Sequence, residues 1–453
     1  MASIDEREPL LSAQPNLARD TDVGEHAAKD AHHRRATTVR AVVYGVVTAA
    51  FIVAIACMLF FWDKIGHAVG ALPGNPDDAA RRLLQSAPVI DGHIDLPEFA
   101  RTVYGNNISA FDLNQPTLGH VDIPRLKQGQ VGGFFWSVYT ACPAHAGLDD
   151  GEDFLNSTWR VRDTLEQIDV AKLLIERYSD TFQLALTTDD VKYAAKQAKI
   201  ASLLGVEGGH QLGNSLAVLR QYYELGVRYV TLTHMCNNAF ADSGGYLEPI
   251  KTKWGGLSPI GYKLIEEMNR LGMLVDLSHT SDDTARQALK HTKAPVIWSH
   301  SSARAVHPIA RNVPDDVLEM VGTSEDKVDA VIMVNFAPQF VAPPGKADVK
   351  AVADHIDHIA SITGKQHVGL GSDYDGIDST PVGLEDVSKY PALIAEMYSR
   401  GWNRFDLAGL TSRNLLRVMA GAERAAAELR AAGATPAMDV YDKRTDLPRR
   451  QEF

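Results

Sequence analysis

What this sequence lacks narrows its function before any motif is read. A basic surplus is missing: 45 Lys and Arg against 57 Asp and Glu leave a formal charge of −12. That argues against a nucleic-acid partner, which demands a basic surface. No Gly-x-Ser-x-Gly elbow occurs, and Gly205-Val206-Glu207-Gly208-Gly209 lacks the phosphate-binding spacing. Neither a serine nucleophile nor a nucleotide site is indicated. Cysteine is scarce. Of three, Cys57 lies inside an apolar run, which leaves Cys142 and Cys236 as a candidate disulfide in an oxidising compartment. Residues 446–453 are charged and hold no apolar tail, so no GPI anchor is expected. Residues 1–40 are short of aromatics and of apolar periodicity, and are expected to form a disordered cytosolic tail. Within them Glu6-Arg7-Glu8-Pro9-Leu10-Leu11 resembles an acidic dileucine sorting signal.

One long uncharged run is present. Residues 41–62 hold no charge, enough for a helix to cross a hydrocarbon core of roughly 30 Å. A buried helix of a soluble domain is the alternative. Lys29, Arg34, Arg35 and Arg40 precede the run, Asp63 and Lys64 follow it, and Trp62 suits the interface. Positive-inside bias then predicts a single-pass type II membrane protein, its remainder extracellular or in the lumen of the secretory or vacuolar system. Two sequons, at Asn107 and Asn156, agree with that side.

Beyond a linker at 63–77, one domain is expected over 78–440, with a short tail at 441–453. Apolar runs at 88–95, 133–140, 201–207, 228–234, 273–279, 295–300, 330–336 and 367–373 alternate with helical patterns, among them 158–178, 215–225, 259–271 and 348–363. Eight strand–helix units predict an α/β fold, a (β/α)8 TIM-like barrel preceded by a single transmembrane helix, with a doubly wound open sheet as runner-up. Polar side chains sit where the strands stop: His93 and Asp95, Glu207, His234, His279, His300 and Asp373. In His93-Ile94-Asp95 the two-residue spacing of a strand aims an imidazole and a carboxylate to one side. In a barrel all such ends converge on one rim. Two carboxylates and three histidines can hold two divalent ions with one carboxylate bridging, which suits zinc, with manganese or cobalt as substitutes. Two ions polarise a carbonyl and turn a shared water into hydroxide, so the natural reaction is hydrolysis of an amide or ester. His120, His210, His291, His355 and His358 fall in loops or helical patterns and read as structural or exposed.

The stretch Ile90-Asp91-Gly92-His93-Ile94-Asp95-Leu96-Pro97 resembles the opening motif of the membrane (renal) dipeptidases, zinc peptidases of the amidohydrolase-like barrel class. The likeness continues through Glu207-Gly208, Leu232-Thr233-His234-Met235-Cys236-Asn237, Asp276-Leu277-Ser278-His279, Ser299-His300-Ser301-Ser302-Ala303, Arg311-Asn312-Val313-Pro314 and Gly371-Ser372-Asp373-Tyr374. The resemblance implies that His93 and Asp95 bind one zinc, that Glu207 bridges, and that His279 and His300 bind a second. It implies that His234 and Arg311 bind a dipeptide, that Asp373 is the acid/base, and that Cys142 and Cys236 are joined. An arginine fork suits a dipeptide carboxylate independently of any family. Departures are Ile94 where Asn is usual, Glu98 where an aromatic residue is familiar, and His307 at a cysteine position of the mammalian enzymes. The cysteine that links mammalian subunits has no counterpart, so any homodimer is expected to be non-covalent. Competing readings are a catalytically dead relative kept as a membrane binding module, and another barrel hydrolase acting on lactams, lactones or phosphoesters.

Overall fold

The structure, a computed structural model, describes residues 21–60, 72–142, 158–442 and 444. The dileucine-like stretch, Trp62, Asp63, Lys64 and the sequon at Asn156 lie outside the described residues. The chain divides into two units, Met1–Ala71 and Leu72–Phe453.

The first unit carries a 40-residue helix, Thr21–Phe60. It starts twenty residues before the uncharged run, which corrects the expectation of disorder throughout 1–40. After Gly24 the polar part is free of Gly and Pro and rich in Ala, Lys and Arg. Adding such residues to an existing helix avoids the nucleation cost that an isolated polar segment would bear. Ala27–Cys57 is long and apolar enough to cross a membrane, and none of it is buried within the structure.

The second unit is built on nine parallel strands: β1 Val89–Ile94, β2 Val131–Val138, β3 Phe182–Leu184, β4 Ile200–Val206, β5 Val227–Thr231, β6 Leu274–Asp276, β7 Val296–Trp298, β8 Ala330–Val334 and β9 Val368–Leu370. Eight run in the order β1-β2-β4-β5-β6-β7-β8-β9, with β3 an extra strand beside β4. A parallel bridge from Ile94 to Tyr374 joins the last strand's loop to the first, so the sheet curls into the expected barrel. Helices Thr158–Arg177, Leu216–Glu224, Pro259–Leu271, Asp282–His291 and Val349–Thr363 are among the crossovers. Parallel strands buried on both faces read as near-continuous apolar runs, which is why their positions were visible in sequence.

Inside the barrel Phe135, Leu203, Tyr229, Ile297, Val331 and Met333 form an apolar plug. Leu415, Val418, Met419 and Ala422 of the last long helix, Asn414–Ala431, extend it below. The walls close tightly: a Cβ on Gly92 would lie 2.5 Å from the Ser299 carbonyl oxygen, so only glycine fits this point of β1. Tyr441, placed in the tail by sequence, is buried in the outer core, because an aromatic ring that finds an apolar groove stays there.

Candidate active site

Most strands are shorter than the apolar runs suggest, and most site residues stand in the turns just beyond them. His93 lies in β1 and Asp95 just past it; Glu207 directly follows β4. His234, His279, His300 and Asp373 lie two or three residues beyond β5, β6, β7 and β9. His279 and Asp373 adopt φ of 64° and 68°. Such left-handed backbone is costly for residues with a Cβ and collects at functional sites. Asp95 occupies the N-cap position of helix Leu96–Tyr104 but makes no capping hydrogen bond. Its carboxylate turns to His93 instead.

These side chains meet. His93 Nε2 lies 3.2 Å from Asp95 Oδ2 and 3.5 Å from Glu207 Oε1. The same Glu207 oxygen is 3.0 Å from His279 Nε2 and 3.2 Å from His300 Nε2. His234 Nε2 is 3.8 Å from Glu207, and Asp373 Oδ1 is 4.0 Å from His93 Nε2. Groups of ligand atoms close enough to share an ion are His93–Glu207–His300, Glu207–His234–His279 and His93–Asp95–Asp373.

The electrostatics show what the cluster wants. Burial raises the carboxyl pKa of Asp95, Glu207 and Asp373. Burial lowers that of His234, His279 and His300 well below the usual value, with Arg311 adding to the effect. These three imidazoles are therefore neutral and offer lone pairs. Burial also disfavours the His93 imidazolium, but Tyr229, Asp95 and Glu207 outweigh it and raise its pKa. His93 Nε2 and Asp95 Oδ1 nonetheless lack hydrogen-bond partners. Converging lone pairs, unpaired buried atoms and crowded carboxylates form a site short of positive charge, and the donor set fits divalent cations.

A second ring of residues fixes the first. Tyr229 Oη meets His93 Nδ1 at 2.8 Å. Ser299 donates to Asp276 Oδ2 at 2.6 Å, so its oxygen is left to accept from His300 Nδ1 at 2.8 Å. That chain puts the His300 lone pair on Nε2, facing Glu207, as ligating histidines require. Asn335, directly after β8, donates to Asp373 Oδ2 at 2.9 Å. Tyr229 and Asn335 do not stand out in the sequence, and Asp276 and Ser299 enter there only as parts of the motifs around His279 and His300, without a role. The available signal was a polar residue interrupting, or directly ending, an apolar run.

Arg311 is brought close but not into the cavity wall. It is buried, its terminal nitrogens donate to Ser301 Oγ and the His300 carbonyl at 2.8 Å, and its Nε has no partner. Phe340 covers it, ring centre 5.5 Å from Cζ. The cavity above the cluster measures about 480 Å³; its walls include Glu98, Tyr139, His234, Tyr246, Gln339, Phe340 and Asp378. Glu98 has its pKa pushed up to about 9, by burial and then by the like charges of Asp95, Glu207 and Asp373. Cys142 and Cys236 are joined in a disulfide, tying the loops after β2 and β5 beside His234. Asn107 is exposed on a short 3₁₀ turn.

Comparison with known proteins agrees with this geometry. A dipeptidase of Schizosaccharomyces pombe, itself uncharacterized, is 46% identical over 349 residues, covering 76% of this chain and 83% of its own. A metallopeptidase from Rhodobacter sphaeroides, solved with a phosphinate mimic of the dipeptide L-Ala-D-Ala, superposes with a TM-score of 0.64 at 25% identity, covering 74% of this chain and 99% of its own. PvdM of Pseudomonas aeruginosa has the same fold, with a TM-score of 0.68 at 21% identity over 78% of this chain and all of its own. Residues 77–433 match the family described as membrane dipeptidase, peptidase family M19. The chain belongs to that family and is a metal-dependent dipeptidase.

Proposed function

We propose that the chain is a membrane-anchored binuclear zinc dipeptidase that works on the extracytosolic side. The observation that carries this reading is the meeting of the His279 and His300 Nε2 atoms on one Glu207 oxygen, beside an unpartnered His93 Nε2 and Asp95. His93 and Asp95 would hold one zinc, His279 and His300 the other, with Glu207 between them. When bound, the two ions would polarise the scissile carbonyl and make a shared water nucleophilic.

The chain's own residues supply the rest. Asp373 takes the proton of the attacking water and returns it to the amine nitrogen as the C–N bond breaks. Asn335 holds one of its oxygens, which leaves the other turned toward the cluster. His234, at the cavity wall, is placed to stabilise the oxyanion of the tetrahedral intermediate. Arg311 grips the dipeptide carboxylate, using donors that the Ser301 and His300 contacts do not occupy.

The disulfide supports an oxidising compartment, the exposed Asn107 a glycan, and the helix Thr21–Phe60 a type II anchor. Protease protection in sealed vesicles, with endoglycosidase digestion, tests that topology. For the chemistry, the purified chain is analysed for metal and assayed on a dipeptide panel including D-residues at the second position, C-terminal amides and a lactam. About two zinc ions per chain and cleavage of free dipeptides are expected. Full activity with no bound transition metal would refute the reading, and lactam hydrolysis without dipeptide hydrolysis would favour another barrel hydrolase.

A further inference from the structure

The reaction proposed above leaves one half-buried cavity group without a task. Glu98 sits in the first turn of helix Leu96–Tyr104, and its carboxyl makes no hydrogen bond or ion pair among the described residues. Arg101, one turn along, would be its natural partner but is drawn away by Asp163 at 3.1 Å and Glu166 at 3.2 Å. Among the described residues no Lys or Arg lines the catalytic cavity, whereas Asp378 joins Glu98 as a wall carboxylate outside the metal-ligand cluster and Asp373.

The cavity has two sides. Phe340, which covers Arg311, packs edge-on against Tyr246, and Gln339 donates to the Tyr246 hydroxyl. A dipeptide whose carboxylate is held by Arg311 therefore has its second residue on this side. Its first residue falls toward Asp95, Tyr139 and Glu98. Glu98 and Tyr139 also line an adjoining cavity of about 420 Å³, room for a long side chain. The arginines there are turned elsewhere, Arg101 to its two acids and Arg160 to the Ala141 carbonyl.

We propose that Glu98 is a specificity-determining residue that receives a cationic side chain on the first residue of the dipeptide, so that substrates beginning with lysine or arginine are preferred. The half-buried carboxyl, unpaired among the described residues, holds its proton among acidic neighbours, and a cation brought beside it favours loss of that proton to solvent and so creates the counter-charge. The ring of Tyr139 beside it suits the stem and the cation. This rests on the dipeptidase reading and goes beyond it.

The test uses the full zinc-loaded chain on Lys-Ala, Glu-Ala and norleucine-Ala, the last matching lysine in length without its charge. In the unaltered enzyme kcat/KM for Lys-Ala should exceed that for norleucine-Ala by about tenfold or more, the scale of a desolvated charge pair. Glu98→Gln should bring that ratio near one. Glu98→Lys should shift preference toward Glu-Ala, with zinc content and a cooperative melt reporting that each variant is folded. Because the readout is a ratio, a general loss of turnover does not imitate it. A ratio near one in the unaltered enzyme, or one that survives Glu98→Gln, overturns the proposal while leaving the dipeptidase reading intact. Failure to cleave any of the three defeats that reading, and this proposal with it.

Discussion

Two sets of buried carboxylates, linked through His93 and through Ser299 and His300, behave in opposite ways in this barrel. In the lower set every oxygen is satisfied. Asp91 accepts from the His93 and Ser372 amides and from the Tyr390 hydroxyl. Asp276 accepts from the Ser278 and Ser299 amides and from the Thr231 and Ser299 hydroxyls. In the upper set, Asp95 has an oxygen with no partner, and among the described residues the Glu207 carboxylate faces imidazole nitrogens only. A buried polar group without a partner is costly. The lower set therefore explains itself as architecture, whereas the upper set makes sense only with cations. Residue type and burial are the same in both; the inventory of donors separates them.

The sharpest way to break the contrast is to remove what the upper set awaits. Chelation should abolish dipeptide hydrolysis and leave the fold intact, with activity restored by added zinc. Glu207→Gln should lower zinc content and rate together, because a neutral amide bridges two cations poorly; unchanged metal content by elemental analysis would show that Glu207 is not shared. Next in size is Asp373→Asn. The amide is nearly isosteric and leaves the five proposed ligands in place, so zinc should hold while kcat falls by about 10²–10⁴-fold with little change in KM. Near-normal turnover with zinc bound would reduce Asp373 to a turn residue. In the lower set, Asp276→Asn should lower stability and, through the Ser299–His300 chain, weaken zinc binding less than Glu207→Gln does. It sets an amide NH₂ against groups that are themselves donors, at a cost of about 1–3 kcal/mol, read by denaturant titration.

Much of this is legible in the sequence alone. The opening motif could be read because a strand's two-residue period sends His93 and Asp95 the same way, and buried parallel strands leave apolar runs. What could not be read depends on neighbours in space. That Ser299 orients His300 through Asp276 requires the register of β6 against β7. That His279 and Asp373 reach the site from left-handed turns requires knowing where their strands end. Asn335 stood inside an expected strand as an unremarked polar residue. The Cys142–Cys236 pairing was implied by family resemblance, since spacing alone made the two only candidates. The helix begins early because cooperativity, unlike composition, extends past the apolar run.

The same contrast divides the imidazoles, and acid sharpens it with the smallest effect. His355 is buried outside the metal-ligand cluster, with both nitrogens used: Nε2 donates to the Val341 carbonyl at 2.8 Å and Nδ1 accepts from the Ala303 amide at 3.0 Å. A proton on Nδ1 would break the second bond, and burial lowers the folded pKa to about 4. In the unfolded chain the ring titrates near 6.5. Between those values the unfolded state binds more protons, so acidification favours unfolding. The stability tied to His355 is present above pH 6.5 and drains away as the pH falls toward about 4. From pH 7 to 5.5 the loss amounts to about 1 kcal/mol. His355→Gln should lower stability at pH 7 yet flatten the dependence of stability on pH across that window, only in part because His210 is held to about 4 in the same way. Denaturant titrations of both proteins at the two pH values measure the difference in slope, from which the fixed cost of the substitution cancels. An unchanged slope would mean that the folded state accommodates a charged His355, and its full complement of partners would then not be what keeps it neutral.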